Sequence, residues 1–173
     1  GKVIEISGLG DGKLVAGLHT IICRVKKGEC ASMAVLKFTT EKEYDGFLKV
    51  NSCGKQWLAD RDYTTLRENG RVDFSLYYIA KGKGYYEHEG KNCTFTEGSI
   101  VLYFPKLRHH YYFKKEDNTE MMWSHFSGEA CQMLDGIKKD EPTVITIKDR
   151  KKFELAFENM VDVHYNKNEY VEI

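Results

Sequence analysis

Hydrophobic positions in the central part of the chain fall in short β-type runs separated by polar, glycine-marked turns. Phe74-Ser75-Leu76-Tyr77-Tyr78-Ile79 is one such run, closed by Gly82-Lys83-Gly84. Tyr85-Tyr86-Glu87 follows, then a turn at His88-Glu89-Gly90-Lys91 and a further run at Cys93-Thr94-Phe95-Thr96. Glu97-Gly98 turns the chain into Ser99 to Phe104, and Pro105 ends that run. His110 to Phe113, a charged turn at Lys114 to Asn118 and Met121 to Phe126 complete the series, with Phe47 to Tyr63 readable as a strand before it. Short strands at this spacing predict an antiparallel sandwich or barrel.

The flanks differ. Residues 2–6 and 14–24 are apolar and β-branched around Gly8-Leu9-Gly10-Asp11-Gly12, which predicts a strand, a turn and a strand, with a further strand at 33–38. After Gly128 a short helix is expected over Glu129 to Ile137 and a strand over Thr143 to Ile147. From Asp149 on, Phe153, Ala156, Phe157, Met160, Val161 and His164 recur at helical spacing. Asp149 is the expected N-cap, with Lys152 at the capping-box position. A helix with one apolar stripe must pack on something: the sheet, a second copy of the chain or a further domain. The expected organisation is an N-terminal extension or arm over 1–43, a barrel over 44–128 and a helical segment over 129–173.

Composition narrows the function. The 173 residues carry 26 Lys plus Arg against 26 Asp plus Glu, so a chain devoted to gripping phosphate backbones is excluded. At 42% hydrophobic and 13% aromatic it has the content of a folded domain rather than a disordered one. No stretch approaches the roughly 18 apolar residues of a membrane span, and no signal-peptide pattern opens the chain. The five cysteines are odd in number and contain no Cys-x-x-Cys pair, which fits free thiols in a reducing cytosol better than a disulfide framework or a structural zinc site. The expected location is the cytoplasm, without membrane contact.

Candidate chemistry starts with histidine. Alternation along a strand puts His110 with Tyr112, and Trp123 with His125, so His110 and His125 can converge inside a barrel. A metal would need three or four such ligands; two histidines without a nearby carboxylate more often hydrogen-bond in a core or pocket. Gly82-Lys83-Gly84 lacks the third glycine and following helix of a dinucleotide site, there is no Gly-x-Ser-x-Gly, and no catalytic constellation or cofactor motif emerges. Lys26-Lys27 and Arg150-Lys151-Lys152 read as solvated faces. More informative are the tyrosines and Trp123 that crowd the β region, since aromatic faces beside a few polar groups suit a small polar ligand such as a sugar. Arg67 and Arg71 are placed to clamp a carboxylate, a phosphate or a hydroxyl pair.

Four segments in order then resemble one family. Arg71-Val72-Asp73-Phe74 with Tyr78-Ile79-Ala80-Lys81-Gly82-Lys83-Gly84, Glu97-Gly98-Ser99-Ile100-Val101-Leu102-Tyr103-Phe104-Pro105, His110-Tyr111, and Trp123-Ser124-His125-Phe126-Ser127-Gly128 are similar to the regulatory domain of AraC-type transcriptional regulators. The resemblance covers about a third of the chain. It implies a mainly β, cupin-like double-stranded β-barrel (a jelly roll) followed by C-terminal α-helices, binding a small effector, often a sugar. It implies a homodimer, with Phe153, Phe157, Met160 and Val161 as candidate dimer residues. DNA would be read only by a helix-turn-helix region beyond Ile173, and no cofactor is implied.

Tyr111 and Trp123 match the family's ring-stacking positions, Arg67 lies near its pocket arginine, and its neighbouring pocket histidine falls near Met121. His110 and His125 complete the expected ligand set. The segment Tyr85 to Gly90 holds a single histidine, His88, and Leu107 stands where glycine is usual in cupin enzymes, two departures that count against metal-dependent chemistry. The competing expectations are a metal-dependent cupin enzyme acting on a small sugar or acid, and a stand-alone carbohydrate-binding barrel.

Overall fold

The computed structural model describes residues 48–134 and 137–166. The strands expected over 2–6, 14–24 and 33–38, and the arm over 1–43, lie outside the described residues. Among the described residues, nine strands form two antiparallel sheets. One has the order β1 (Leu48–Leu58), β8 (Thr119–Gly128), β3 (Phe74–Lys81), β6 (Ser99–Tyr103), β9 (Thr143–Thr146). The other has the order β2 (Tyr63–Arg67), β7 (His109–Phe113), β4 (Lys83–His88), β5 (Lys91–Thr96). The mainly β, cupin-like fold is therefore present, although hydrogen bonding does not close the two sheets into one barrel. The run read from Phe47 to Tyr63 takes in the whole of β1 and reaches the first residue of β2.

Turn chemistry sets the connections. Glu89 and Gly90 both have positive φ (49° and 74°), the geometry of a two-residue hairpin loop, and this loop fixes the register of β4 against β5. Gly82 and Gly98 (both φ 80°) close the other ends. Between Phe104 and Leu107, Pro105 is followed by Lys106 at φ 65°, where a turn of this type prefers glycine.

The core has two layers. Between the sheets lie Tyr77, Ile79, Val101, Tyr103 and Met121 of the five-stranded sheet against Tyr86, Phe95, Tyr111 and Phe113 of the four-stranded one. On the far side of the five-stranded sheet, Leu76, Tyr78, Ile100, Leu102, Met122 and Phe126 meet Ile145, Ile147, Phe153 and Phe157. Strands β3 and β6 are covered on both faces, so their sequences read as continuous apolar runs instead of alternating ones. Gly84 is enclosed by aromatic rings: a Cβ there would lie 2.5 Å from both the Phe95 and Phe113 rings. Gly84→Ala is expected to cost about 1–3 kcal/mol through overpacking. A urea midpoint matching the wild type would show that these rings can give way.

Beyond Gly128 the expected helix over Glu129–Ile137 is a 3-10 segment, Glu129–Leu134. β9 then returns to pair with β6 and completes the five-stranded sheet. Helix α1 (Arg150–Asn166) follows. Asp149 caps it by accepting the Lys152 amide at 3.1 Å, as the sequence pattern predicts. Of the candidate dimer residues Phe153, Phe157, Met160 and Val161, the two phenylalanines are not available for such a contact. Phe153 and Phe157 are buried in their own chain, Phe153 against the Tyr78 ring at 4.7 Å, and Met160 and Val161 pack against the same cluster. The apolar stripe is the third layer of this fold. Arg150 fastens the helix start to Glu97 and to the Ala80 carbonyl, and Tyr165 donates to the Cys53 carbonyl at its end.

Candidate functional site

At one end of the space between the sheets, the end of β2, the starts of β3 and β7, and the latter half of β8 bring polar side chains together. Strand alternation decides which. In β7, His109, Tyr111 and Phe113 are buried while His110 and Tyr112 face outward. In β2, Thr65 is buried and Leu66 exposed, so Arg67 turns to the same side as Thr65, and it pairs across the sheet with His109. In β8, Met121, Trp123 and His125 share the inward face.

Arg67 Nη1 donates to the Tyr111 hydroxyl at a long 3.4 Å, and among the described residues no carboxylate lies in ion-pair range of it. Tyr111 rests on Tyr77, ring centroids 4.7 Å apart. His109 lies 4.2 Å from the Tyr103 ring and 6.4 Å from that of Tyr77. Trp123 is half-buried, 5.2 Å from the His125 ring, and its indole extends over Gly54 of β1. A Cβ on Gly54 would come within 3.0 Å of that indole, so the glycine lets the ring lie close to the strand.

The electrostatics favour neutral histidines beside a cation. Burial, helped by the Arg67 charge, pulls His109 down to about 3. Burial likewise takes His125 down to about 4, and its Nδ1 shares a hydrogen bond of 3.0 Å with Ser75 Oγ. Burial holds the Tyr77 and Tyr103 hydroxyls well above their ordinary range, so both stay protonated. Asp73, a carboxylate whose charge reaches both histidines, is occupied. Burial alone would raise it, but hydrogen bonds from Arg71 and from Asn51 outweigh burial and hold it below the usual carboxylate range.

The expected set divides accordingly. Arg67, Tyr111, Trp123 and His125 are brought to one site. Arg71 is not free to clamp a ligand, because its guanidinium is forked onto Asp73 at 2.7 and 3.2 Å. His110 is on the wrong face: its Nδ1 sits 2.8 Å from Glu87 Oε2 on the outer side of the four-stranded sheet, so it cannot converge with His125. The expected ligand set leaves out His109, and takes Tyr77 and Tyr103 only as two of the tyrosines that crowd the β region. Their signal was parity, since any residue sharing a face with Tyr111 excludes His110 and includes His109. Among the described residues no three His, Cys, Asp or Glu side chains are grouped to hold a metal ion, and no helix is long and apolar enough to cross a membrane.

Several solved structures are similar in fold. ToxT from Vibrio cholerae O395, bound to (E)-4-(8-methylnaphthalen-1-yl)but-3-enoic acid, is 11% identical with a TM-score of 0.49, covering 69% of this chain and 50% of that one. YhaK from Escherichia coli is 12% identical with a TM-score of 0.43, covering 59% and 44%. The chain thus spans about half the length of the ToxT structures it matches (53% and 50%). No curated protein matches in sequence. The family model for the AraC-like ligand binding domain matches residues 52–162, which takes in every strand from the middle of β1 to β9 and most of α1. On that match over more than half its length, the chain belongs to the AraC-like ligand-binding domain family.

Proposed function

We propose that this chain is the sensory part of a cytoplasmic bacterial transcriptional regulator that binds a small polar effector, a sugar in the first instance, at the Arg67 end of the sheet sandwich. The observation that carries the reading is Arg67, a guanidinium turned inward with only the long Tyr111 contact and no carboxylate among the described residues. Buried or half-buried arginine forks normally find oxygen partners. A hydroxyl or carboxylate of the effector would complete the fork, and the half-buried Trp123 indole offers a face for its C–H groups. Ligand binding would then bias the attached DNA-reading region by favouring one conformation of the domain. We place a homodimer contact on the outward side of α1, where Leu155 and Val163 stay 60% and 36% exposed, since Phe153 and Phe157 are taken up by the core.

Calorimetric titration of aldoses and simple carboxylates into the wild type, Arg67→Ala and Trp123→Ala tests the site. Losing charge-assisted hydrogen bonds worth about 1.5–3 kcal/mol is expected to weaken binding about 10- to 100-fold in Arg67→Ala. Equal affinity in all three proteins would remove both side chains from the site.

A further inference from the structure

Resting on the reading above, we infer that His109, with the hydroxyls of Tyr103 and Tyr77, forms the hydrogen-bonding floor of the effector site, and that it is matched to the hydroxyl groups of a neutral, polyhydroxylated molecule. His109 is 0% exposed, and neither of its ring nitrogens has a hydrogen-bond partner. The Tyr103 hydroxyl is buried without one as well. The Tyr77 hydroxyl lies beside Tyr111 and Ser75 but makes no hydrogen bond of ordinary geometry. Buried polar groups in folded proteins are satisfied in the great majority, and an orphan destabilises the fold, so several on adjoining rings require a reason.

General looseness does not account for them. In the same region His125 is bonded to Ser75, and Asp73 is bonded to Arg71 and Asn51. Of the seven unpartnered side-chain atoms among the described residues, four sit on the adjoining rings of His109, Tyr103 and Tyr77; the other three belong to His110, Ser124 and Glu141. Tyr103 and His109 are 4.2 Å apart by ring centroids, and Tyr77 and Tyr103 are 5.9 Å apart.

The class of ligand follows from what these groups offer. A neutral imidazole has one donor and one acceptor, and each phenol both donates and accepts. A ligand hydroxyl does the same and can satisfy either side. A carboxylate only accepts: it could take hydrogen bonds from the phenols and the imidazole N–H, but would leave the bare nitrogen of His109 without a donor. Arg67 lies at the rim of the same cluster and adds donors for a further oxygen. In the fold as it stands these atoms are enclosed, so binding must move the side chains above them, which gives a sensor two distinguishable states.

The test is thermal melting at pH 7 of wild type, His109→Phe, Tyr103→Phe, Arg67→Ala and a control, His110→Ala. Each is measured with D-glucose, D-galactose, D-xylose and D-mannitol, and with hexanoate and benzoate. His109→Phe replaces orphaned nitrogens by a ring of similar size and is expected to melt about 2–6 °C above the wild type. At least one polyol is expected to raise the melting temperature of the wild type and of His110→Ala, and to have lost that effect in His109→Phe. Tyr103→Phe removes a single oxygen and carries the same comparison should His109→Phe fail to fold. The inference is overturned by an unchanged polyol shift in both variants, by polyols that are silent on the wild type, or by a His109→Phe that melts lower. A shift with hexanoate or benzoate alone, lost in Arg67→Ala, would overturn it while leaving the effector site at Arg67 standing.

Discussion

Replacing Phe153 by alanine is expected to lower the stability of the domain by about 3–5 kcal/mol, the range for emptying a buried aromatic site. The side chain is 2% exposed and wedged between Tyr78 and Phe157, with ring centroids at 4.7 and 5.9 Å. Its loss removes the main apolar contact that holds α1 on the five-stranded sheet. The Tyr78 phenol would be affected with it. Burial and the neighbouring Glu154 push that hydroxyl up to about 12, and its hydrogen bond to Glu154 joins the sheet to the helix. Urea unfolding followed by far-ultraviolet circular dichroism checks the magnitude. A dimer residue would behave differently: Phe153→Ala would shift the association constant and leave the monomer's unfolding midpoint in place. That second outcome would restore the interface reading drawn from the helical periodicity.

Two of the cases in which sequence and structure part company have a common physical origin. Periodicity says which residues share a face, and it says nothing about what that face meets. Phe153, Phe157, Met160 and Val161 do form one stripe on a capped helix, as the spacing predicts, yet the same stripe serves equally for a partner chain or for the chain's own sheet. The choice depends on whether the far side of β3, β6 and β8 is apolar. Tyr78, Ile100 and Met122 show that it is, and the unbroken apolar run at Ile100 to Phe104 already carried that information. The β7 case is sharper. His110 and Tyr111 are neighbours on one strand, so both cannot point inward. Once Tyr111 is inside, His109 is the histidine that joins Trp123 and His125. Arg71 was invisible for another reason: its partner Asp73 is only two residues away, and whether that pair closes on itself depends on the loop geometry between β2 and β3. Hairpin registers, by contrast, were legible because Glu89-Gly90, Gly82 and Gly98 fix them locally.

Acid should unfold this domain at a mild pH, and the interior histidines set the window. Both have folded pKa values below the ordinary 6.5, at about 3 for His109 and about 4 for His125, chiefly through burial. The unfolded chain therefore takes up their protons first. Stability is fully present above pH 6.5 and falls as the pH drops toward 4, where His125 begins to protonate in the folded state too. Within that window each imidazole contributes a loss of about 1.4 kcal/mol per pH unit. Asp73 acts in the same direction lower down, since its carboxyl is held below the usual range by Arg71 and Asn51 and loses those partners' benefit as it protonates. Between pH 6.5 and 4 the two histidines together remove several kcal/mol, comparable to the whole stability of about 5–15 kcal/mol that domains possess. Urea midpoints at pH 7, 6, 5 and 4.5 should fall with a slope corresponding to about two protons. His109→Phe should halve that slope, because only His125 then remains to be protonated on unfolding. An unchanged slope in His109→Phe would mean that His109 is already protonated in the folded protein, and hence that water reaches the floor of the site.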